Sequence, residues 1–447
     1  PWFRISQWPG VWWNLNIQLT YWPVYAGNRL AIGRNYLDLV DSQFDTTFAS
    51  ALKGKTIGDF AWALHNYWWQ LRFAGDWRGV HEKWTPKARR IVDAYAAKLV
   101  KNAEGRLELP GLGSPEYNGF ATFNNTTYNL ALFRWLLKAL LEADARSSQP
   151  ASPEAAEWRR LQTELVDYPV DANGLMIGSD QAVDQSHRHF SHLLPLYPLY
   201  VLDPDNAKDR ELLLRSTLHW HRIGDGKGLA GYSFTGGASI YASLGLGDDA
   251  LGMLNDFLNN ARGGGKVLPN TMYVESGGKN PVIETPLSAA SATMDFLLQS
   301  WGGKIRVFPA VPSTWAEASF RDLRAMDGFL VSAGREKGAT AWIALTSEAG
   351  EPCVLKVSDW IGPLELRAAR PPEITVLGPG EYRIDLRKGE HVVLFPRGRA
   401  PSVLVRAVPA TVGTPNFYGV KRGGELKSLQ IWPEVPRQTT PSASPVR

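Results

Sequence analysis

Apolar residues recur three and four positions apart along most of the chain between about residues 35 and 300. This spacing is typical of amphipathic helices. Helix starts are marked at Thr85-Pro86 and at Ser152-Pro153-Glu154, where a capping residue precedes a proline. The pattern therefore predicts a mainly helical region, with helices in segments such as IGDFAWALHNYWWQLRFAGD, NNTTYNLALFRWLLKALLEADA and PLSAASATMDFLLQSW.

Long loops rich in Gly, Pro and Asn separate these helices, among them LPGLGSPEYNGF and GGKNPVIETP. Such loops are unusual in a short-loop helical bundle, and loops of this length are commonly functional. We therefore predict a helical toroid, an (α/α) barrel whose loops at one end form a pocket.

The pattern changes after GGKIRVFPAVPSTW to short alternating runs separated by Gly and Pro, which predict an antiparallel β-domain. The predicted domains are a barrel over 1–304, a β-domain over 305–410 and a partly disordered extension over 411–447. The chain opens at PWFRISQWPG with neither Met nor a signal peptide. We interpret it as a piece of a longer protein that is secreted or periplasmic.

Charge and cysteine content narrow the function classes. The net charge of +4 is small for 447 residues, and Lys and Arg are interleaved with Asp and Glu, which argues against a nucleic-acid partner. A single cysteine, Cys353, excludes an intrachain disulfide framework and a multi-cysteine metal site. The sequence contains no run of 18 apolar residues, so it gives no indication of a membrane partner. The oligomeric state is left open.

Aromatic residues are abundant, with 18 Trp and 15 Tyr. Flat rings stack on the apolar faces of sugars, while their N–H and O–H groups bond sugar hydroxyls. Trp13, Trp22 and Tyr117 are candidate sugar contacts, and the alternative for each is packing in a large core.

Two loop carboxylates are candidates for acid–base chemistry. Glu116 follows Ser114-Pro115 in a glycine-rich loop, where aromatic walls would raise its pKa and suit it to act as a general acid. Glu284 precedes Thr285-Pro286, close to a predicted helix start whose dipole favours an ionised carboxylate. For each, the alternative is a helix-capping or surface role.

A histidine-rich block, DQSHRHFSHLLPLYPLY, contains His187, Arg188, His189 and His192. It lacks the spacing of a common metal motif, so it supports metal binding weakly. These side chains could surround a polyol with hydrogen-bond donors, or some of the histidines could be structural.

The stretch WWNLNIQLTYWP places amides at Asn14, Asn16 and Gln18. If the segment is extended, the three amides share one face and could orient a water or bind sugar hydroxyls. A buried network that only ties loops together is the alternative. Together, two carboxylates and clustered amides in a Trp-rich barrel are what glycoside hydrolysis requires.

Several segments resemble, in order along the chain, the family 95 glycoside hydrolases, the α-L-fucosidase family. NLNIQLTYWP is similar to the family's NINxQMNYWP segment, GSPEY to its SPEN loop, and SHRHFSHLLPLYPL to its HRHxSHLxxLYPG block. LLQSWGGKIRVFPAVPSTW resembles the exit from the barrel into the C-terminal domain.

The resemblance implies an (α/α)6 barrel, an inverting mechanism and no metal or cofactor, with an oligosaccharide or polysaccharide as substrate. It places Glu116 on the general acid, and Asn14 and Asn16 on the pair that positions the attacking water. Glu284 falls where the family has an aspartate in an IDGNFG-type motif, and Thr20 where it usually has an asparagine.

The leading hypothesis is an exo-acting glycosidase that releases a terminal α-L-fucosyl or related, L-galactosyl-like sugar. One alternative is a polysaccharide lyase on a helical toroid, with Asn14, His189 and Tyr197 as its reacting groups and Arg188 neutralising a uronic acid. The other is a carbohydrate-binding homologue with weakened catalysis, suggested by the aspartate-to-glutamate change at Glu284.

Overall fold

The computed structural model describes residues 10–119, 121–259, 265–267, 273–275, 280–360, 363–398 and 405. The extension predicted over 411–447 lies outside these residues, as does the opening stretch 1–9.

Helices dominate the described chain up to residue 297, as the apolar spacing predicts. They are α1 (Asn16–Ala26), α2 (Leu30–Gln43), α3 (Ala49–Ala51), α4 (Ile57–Ala74), α5 (Trp77–Gly79), α6 (Thr85–Ala96), α7 (Thr127–Ala145), α8 (Ala155–Glu164), α9 (Ala207–Arg222), α10 (Gly231–Ser243), α11 (Gly247–Leu258) and α12 (Glu284–Leu297). The count of six helix pairs stays a prediction.

Strands occur as short pairs in the loops and as a continuous series from residue 298. They are β1 (Val100–Lys101), β2 (Leu107–Glu108), β3 (Leu112–Gly113), β4 (Thr122–Phe123), β5 (Val170–Asp171), β6 (Gly174–Leu175), β7 (Lys266–Val267), β8 (Tyr273–Glu275), β9 (Asn280–Val282), β10 (Leu298–Trp301), β11 (Lys304–Val307), β12 (Ala318–Ala325), β13 (Phe329–Glu336), β14 (Ala339–Ser347), β15 (Cys353–Val357), β16 (Leu364–Ala368), β17 (Glu373–Gly378), β18 (Glu381–Asp385) and β19 (His391–Pro396).

Helix α4 lies inside the helical region. Almost every residue from Ile57 to Phe73 is buried, including Trp62 and Tyr67, because the helix is apolar on all sides. It ends at Gly75, whose left-handed backbone (φ +68°) lets its N–H bond the Arg72 carbonyl. Helices α1 and α7 pack against it, so a large aromatic core supports the loops at their ends.

Two expected helix features differ from the structure. The stretch with Asn14, Asn16 and Gln18 is not extended, since α1 begins at Asn16, and so the predicted single face of amides is wrong. A helix separates residues two apart by about 200°, and Gln18 is therefore fully buried while Asn16 is partly exposed. Thr85 does not cap α6, because a π-helical turn over Val80–Trp84 already leads into that helix.

The C-terminal strands form two five-stranded sheets, in the orders β10-β11-β15-β18-β17 and β12-β13-β14-β19-β16. Side chains of both sheets share one core, in which Ile305 and Leu355 of the first sheet meet Val331 and Ile343 of the second. The region is thus sandwich-like. It is not purely antiparallel, since β15 runs parallel to β11. After β11 the chain leaves the first sheet and forms β12, β13 and β14 of the second sheet. It then returns to the first sheet as β15, which runs in the same direction as β11.

Buried arginines connect the helical region with the sheets. The Arg324 guanidinium donates to the Phe73 carbonyl at 3.2 Å and to the Asn28 side chain at 2.9 Å. Arg72, at the end of α4, bonds Glu142 on α7 and Asp327 between β12 and β13. These contacts fix the end of the helices that lies opposite the loops described next.

Candidate active site

The two predicted asparagines each contact one of the two predicted carboxylates. Asn16, the first residue of α1, donates from Nδ2 to Glu284 Oε1 at 2.6 Å. Asn14, just before the helix, has its Nδ2 3.5 Å from Glu116 Oε1. Leu15 between them is 2% exposed and anchors the turn in the core. A short segment therefore joins carboxylates that are far apart in sequence.

The loop carrying Glu116 has an unusual backbone. Glu116 and Asn118 both have φ +51°, a left-handed conformation that non-glycine residues adopt at an energetic cost. Tyr117 holds this loop, because its hydroxyl donates to Asp184 Oδ1 at 2.6 Å and accepts from the Asp184 backbone N–H. Ser114 adds a 2.8 Å hydroxyl–hydroxyl bond to Ser191. The strained turn thus presents the Glu116 carboxylate at a fixed place.

The charge environment of Glu116 differs from the expectation. Its carboxylate pairs with the Arg188 guanidinium and lies 3.5 Å from His189 Nε2. Hydrogen bonding from His189 is the main cause that lowers the pKa of Glu116, to about 2, and Arg188 and Asn14 lower it further. The raised pKa expected from aromatic walls is therefore wrong, because charged and hydrogen-bonding neighbours outweigh burial.

The histidine-rich block is fixed through its backbone. The Arg188 carbonyl accepts a 2.6 Å bond from Ser233 at the start of α10, and the His187 carbonyl accepts from Trp220 Nε1 at 3.0 Å. The ring of His187 lies 3.4 Å from the Pro115 carbonyl and stacks on His189, with 5.2 Å between ring centroids. These contacts set Arg188 and His189 against Glu116.

Burial favours the uncharged form of the three histidines. Burial lowers the pKa of His187 to about 4 and that of His192 to about 3, and it lowers the pKa of His189 as well. His192 is 2% exposed, and neither of its ring nitrogens has a hydrogen-bond partner. The block thus supplies neutral donors and acceptors, with Arg188 as its only permanent charge.

Glu284 is the first residue of α12 and is 7% exposed. Its position at the helix N-terminus agrees with the sequence prediction, and helix N-termini favour negative charge. Since α1 packs against α12, the bond from Asn16 joins the starts of two adjacent helices.

Sequence reasoning missed two residues at this site. Tyr232, in the first turn of α10, is 6% exposed, and its ring lies 5.2 Å from that of His189. Burial raises the pKa of Tyr232, the charge of Arg188 lowers it, and the charges of Glu116, Glu275 and Glu284 raise it further. The second is Glu275, at the end of β8. Neither residue belongs to a motif that could have identified it.

The three aromatic side chains predicted to contact a sugar all take part in packing. Trp22 is 2% exposed and packs against Trp69 and Tyr197 in the aromatic core. Trp13 packs on Phe48 and Phe60, and Tyr117 is wholly buried as a brace for the Glu116 loop.

The alternative hypothesis of a polysaccharide lyase finds little support in the positions of these side chains. Tyr197 lies in the core with Trp22, not beside Asn14 and His189, and Arg188 is already paired with Glu116.

Two kinds of feature are absent from the described part of the chain. Among those residues, no three His, Cys, Asp or Glu side chains are arranged to hold a metal ion. None of the described helices combines the length and the apolar character that a membrane crossing requires.

Solved structures provide remote likenesses. One is a human-microbiome protein assigned as a kojibiose phosphorylase (12% identity, TM-score 0.43, covering 66% of this chain and 47% of that one). Another is the Streptomyces avermitilis α-L-rhamnosidase complexed with L-rhamnose (11%, 0.39, 75% and 32%). A third is a family 127 β-arabinofuranosidase (9%, 0.24, 72% and 50%). The chain spans half or less of the length of each.

Family profiles give a closer result, whereas no curated protein sequence matches the chain. Residues 44–278, more than half of the 447, match the glycosyl hydrolase family 95 catalytic domain. Residues 299–393 match the glycoside hydrolase family 95 C-terminal domain. Glu116 and the histidine-rich block lie within the first match, while Asn14, Asn16 and Glu284 lie outside it. The chain belongs to glycoside hydrolase family 95.

Proposed function

We propose that this glycoside hydrolase is an inverting exo-glycosidase that releases terminal α-L-fucosyl or related, L-galactosyl-like residues from oligo- or polysaccharides. The observation that carries the proposal is the pair of contacts from Asn14 to Glu116 and from Asn16 to Glu284. Hydrolysis with inversion needs an acid on one side of the glycosidic bond and an activated water on the other. One short segment, with its two amides, connects two carboxyl groups suited to these roles.

Glu284 and Asn16 form the water-activating side in this proposal. The side-chain N–H group of Asn16 donates to Glu284. The side-chain carbonyl oxygen of Asn16 can then accept a hydrogen bond from water. The carboxylate polarises the amide and fixes its direction, so the water is oriented toward the anomeric carbon. The water oxygen bonds to that carbon as the bond from the carbon to the leaving oxygen breaks, and the proton that the water loses passes to the Glu284 carboxylate. The sugar leaves as the β-anomer.

Glu116 donates the proton to the leaving oxygen. Its low pKa keeps Glu116 ionised while it contacts His189 and Arg188, so substrate binding must weaken the contacts that hold the charge. The Arg188 side chain is 42% exposed, so a sugar entering from solvent can displace it. Loss of that cation and exclusion of water both raise the pKa of Glu116, toward the range that a general acid needs.

The experiment that tests this function is a screen of aryl glycosides of L-fucose, L-galactose and related sugars, followed by proton NMR. We expect hydrolysis of one α-L-glycoside, with the β-anomer of the free sugar appearing before mutarotation. Release of the α-anomer first would refute inversion. Products that absorb in the near ultraviolet would indicate a lyase, as would be expected for an unsaturated uronic acid.

A carbohydrate-binding protein with weakened catalysis is the second candidate. The low pKa of Glu116 and its pairing with Arg188 favour it, because an ionised carboxylate cannot donate a proton. Calorimetric binding of oligosaccharides without any hydrolysis after prolonged incubation would support this function over the first.

A further inference from the structure

Glu275 lies close to Glu284 although nothing in its sequence context indicates a function. It ends β8, the middle strand of the sheet β7-β8-β9, and pairs with Asn280 at the start of β9. Strand β9 leads within two residues to Glu284 at the start of α12. The short hairpin therefore places a third carboxyl group at the site.

The carboxyl group of Glu275 is enclosed and incompletely bonded. Its Oε1 is buried and has no hydrogen-bond partner. A Cβ added to Gly231, at the start of α10, would come within 2.8 Å of this oxygen and 2.5 Å of the Tyr273 hydroxyl. Only glycine at position 231 leaves room for the two groups. The backbone of α10 thus forms one wall around them.

A second unbonded group lies nearby. The Tyr232 hydroxyl is buried without a partner, and Tyr232 directly follows Gly231. The charges of Glu275 and Glu284 both act on it, after the larger effect of burial, in raising its pKa. A donor–acceptor hydroxyl and a carboxyl oxygen, both unbonded, therefore flank the first turn of α10.

Buried polar atoms without partners destabilise the folded state, so each one in a natural protein needs an explanation, such as a functional role or a bound water or ion. A sugar hydroxyl has the required complement, since it can donate to a carboxyl oxygen and accept from a phenol. An apolar ligand would satisfy neither group.

We infer that Glu275, together with Tyr232, binds one ring hydroxyl of the terminal sugar and thereby determines which sugar the site accepts. This inference rests on the proposed glycosidase function. Burial and the charge of Glu284 raise the pKa of Glu275. A site that bonds a particular hydroxyl rejects analogues that lack it far more strongly than an apolar pocket does.

The test compares substrates that lack one ring hydroxyl at a time, using wild type, Glu275→Ala, Glu275→Gln and Tyr232→Phe. In wild type, we expect removal of one particular hydroxyl to lower kcat/KM by about 100-fold or more. In Glu275→Ala, removal of the same hydroxyl should lower kcat/KM by less than about tenfold. The effect of removing any other hydroxyl should be the same as in wild type. Tyr232→Phe should reduce the cost at the same position. The amide of Glu275→Gln resembles a neutral carboxyl group. This variant should therefore recover part of the wild-type loss of kcat/KM when that hydroxyl is removed.

A structural role for Glu275 would lower the activity on all substrates by the same factor, and that result would overturn the inference. Gly231→Ala, which displaces Glu275, should lose the same discrimination. Gly252→Ala is its matched control, because a Cβ at Gly252 meets nothing within 4 Å. If wild type hydrolyses no glycoside, the proposed function fails. The inference is then decided by calorimetry of sugars and their deoxy analogues, where a loss of discrimination in Glu275→Ala supports it and its retention refutes it.

Discussion

Replacing Glu116 by Gln tests the acid assignment most directly. The amide has the same shape as the carboxyl group but cannot transfer a proton to the leaving oxygen. A general acid contributes about 10²–10⁴-fold to the rate, so we expect a loss of that size for substrates whose leaving group is a sugar alcohol. A dinitrophenyl leaving group departs without protonation, so its rate should fall less than about tenfold. The difference between the two losses measures the acid contribution.

The structure also limits how much stability the variant can lose. Glu116 and Arg188 are 34% and 42% exposed, and a pair so accessible to solvent contributes about 0–1 kcal/mol. For a chain of this size, that change shifts the Tm by less than about 3 °C. Glu351→Gln is a matched control, because Glu351 pairs with Arg146 at similar exposures of 28% and 40%, far from the site along the chain. It should show a comparable shift in Tm and normal kinetics.

The assay is kcat/KM on a dinitrophenyl glycoside and on a disaccharide, with Tm measured for each protein. Equal losses on the two substrates would refute the assignment of Glu116 as the acid, as would wild-type rates on the disaccharide.

Three further predictions concern other groups. Glu284→Asp should lower kcat about 100-fold by lengthening the 2.6 Å contact with Asn16, since misplacement of about an ångström costs that much; unchanged kcat would remove Glu284 from the mechanism. Arg188→Met should raise the pKa of Glu116 in the free enzyme and move the alkaline limb of the kcat/KM profile to higher pH, because the protonated acid is the active form; a limb that stays in place would contradict the role of the ion pair. Burial raises the pKa of Asp295 from 3.8 to about 7. The folded state therefore resists ionisation, and wild type loses stability as pH rises from about 4 to 7. Asp295→Asn should escape this loss, gaining roughly 2–4 kcal/mol relative to wild type between these pH values. Urea unfolding at pH 4.5 and 7.5 measures the gain, and equal pH dependence of the two proteins would refute it.

The helical region and the change to strands could be predicted from the sequence because they depend on local spacing. The segments around Glu116 and Arg188 could be identified because their residue types and order resemble a family pattern. Composition alone could not predict the role of Trp22. A tryptophan can either stack on a sugar or fill the core, and Trp22 lies in the core.

Other features depend on contacts between distant segments. The alternation of Asn14, Asn16 and Gln18 suggested a strand, but burial of Leu15, Leu19 and Trp22 favours a helix. The pKa of Glu116 follows from Arg188 and His189, 72 and 73 positions along the chain, whose approach no local pattern indicates. Glu275 lies on a strand of three residues, and only the folded structure places it near Glu284.

The contacts of Asn14 and Asn16 have a consequence for how the protein acquires its site. Asn16 and Glu284 are 268 positions apart in sequence, and Asn14 and Glu116 are 102 apart. Contacts across such separations form late, because the entropy of closing long loops must be overcome first. In a refolding experiment, helical signal should therefore appear before sugar binding does. A chain that has not yet brought α1 against α12 would have its core aromatics partly assembled but no site at which to bind a sugar.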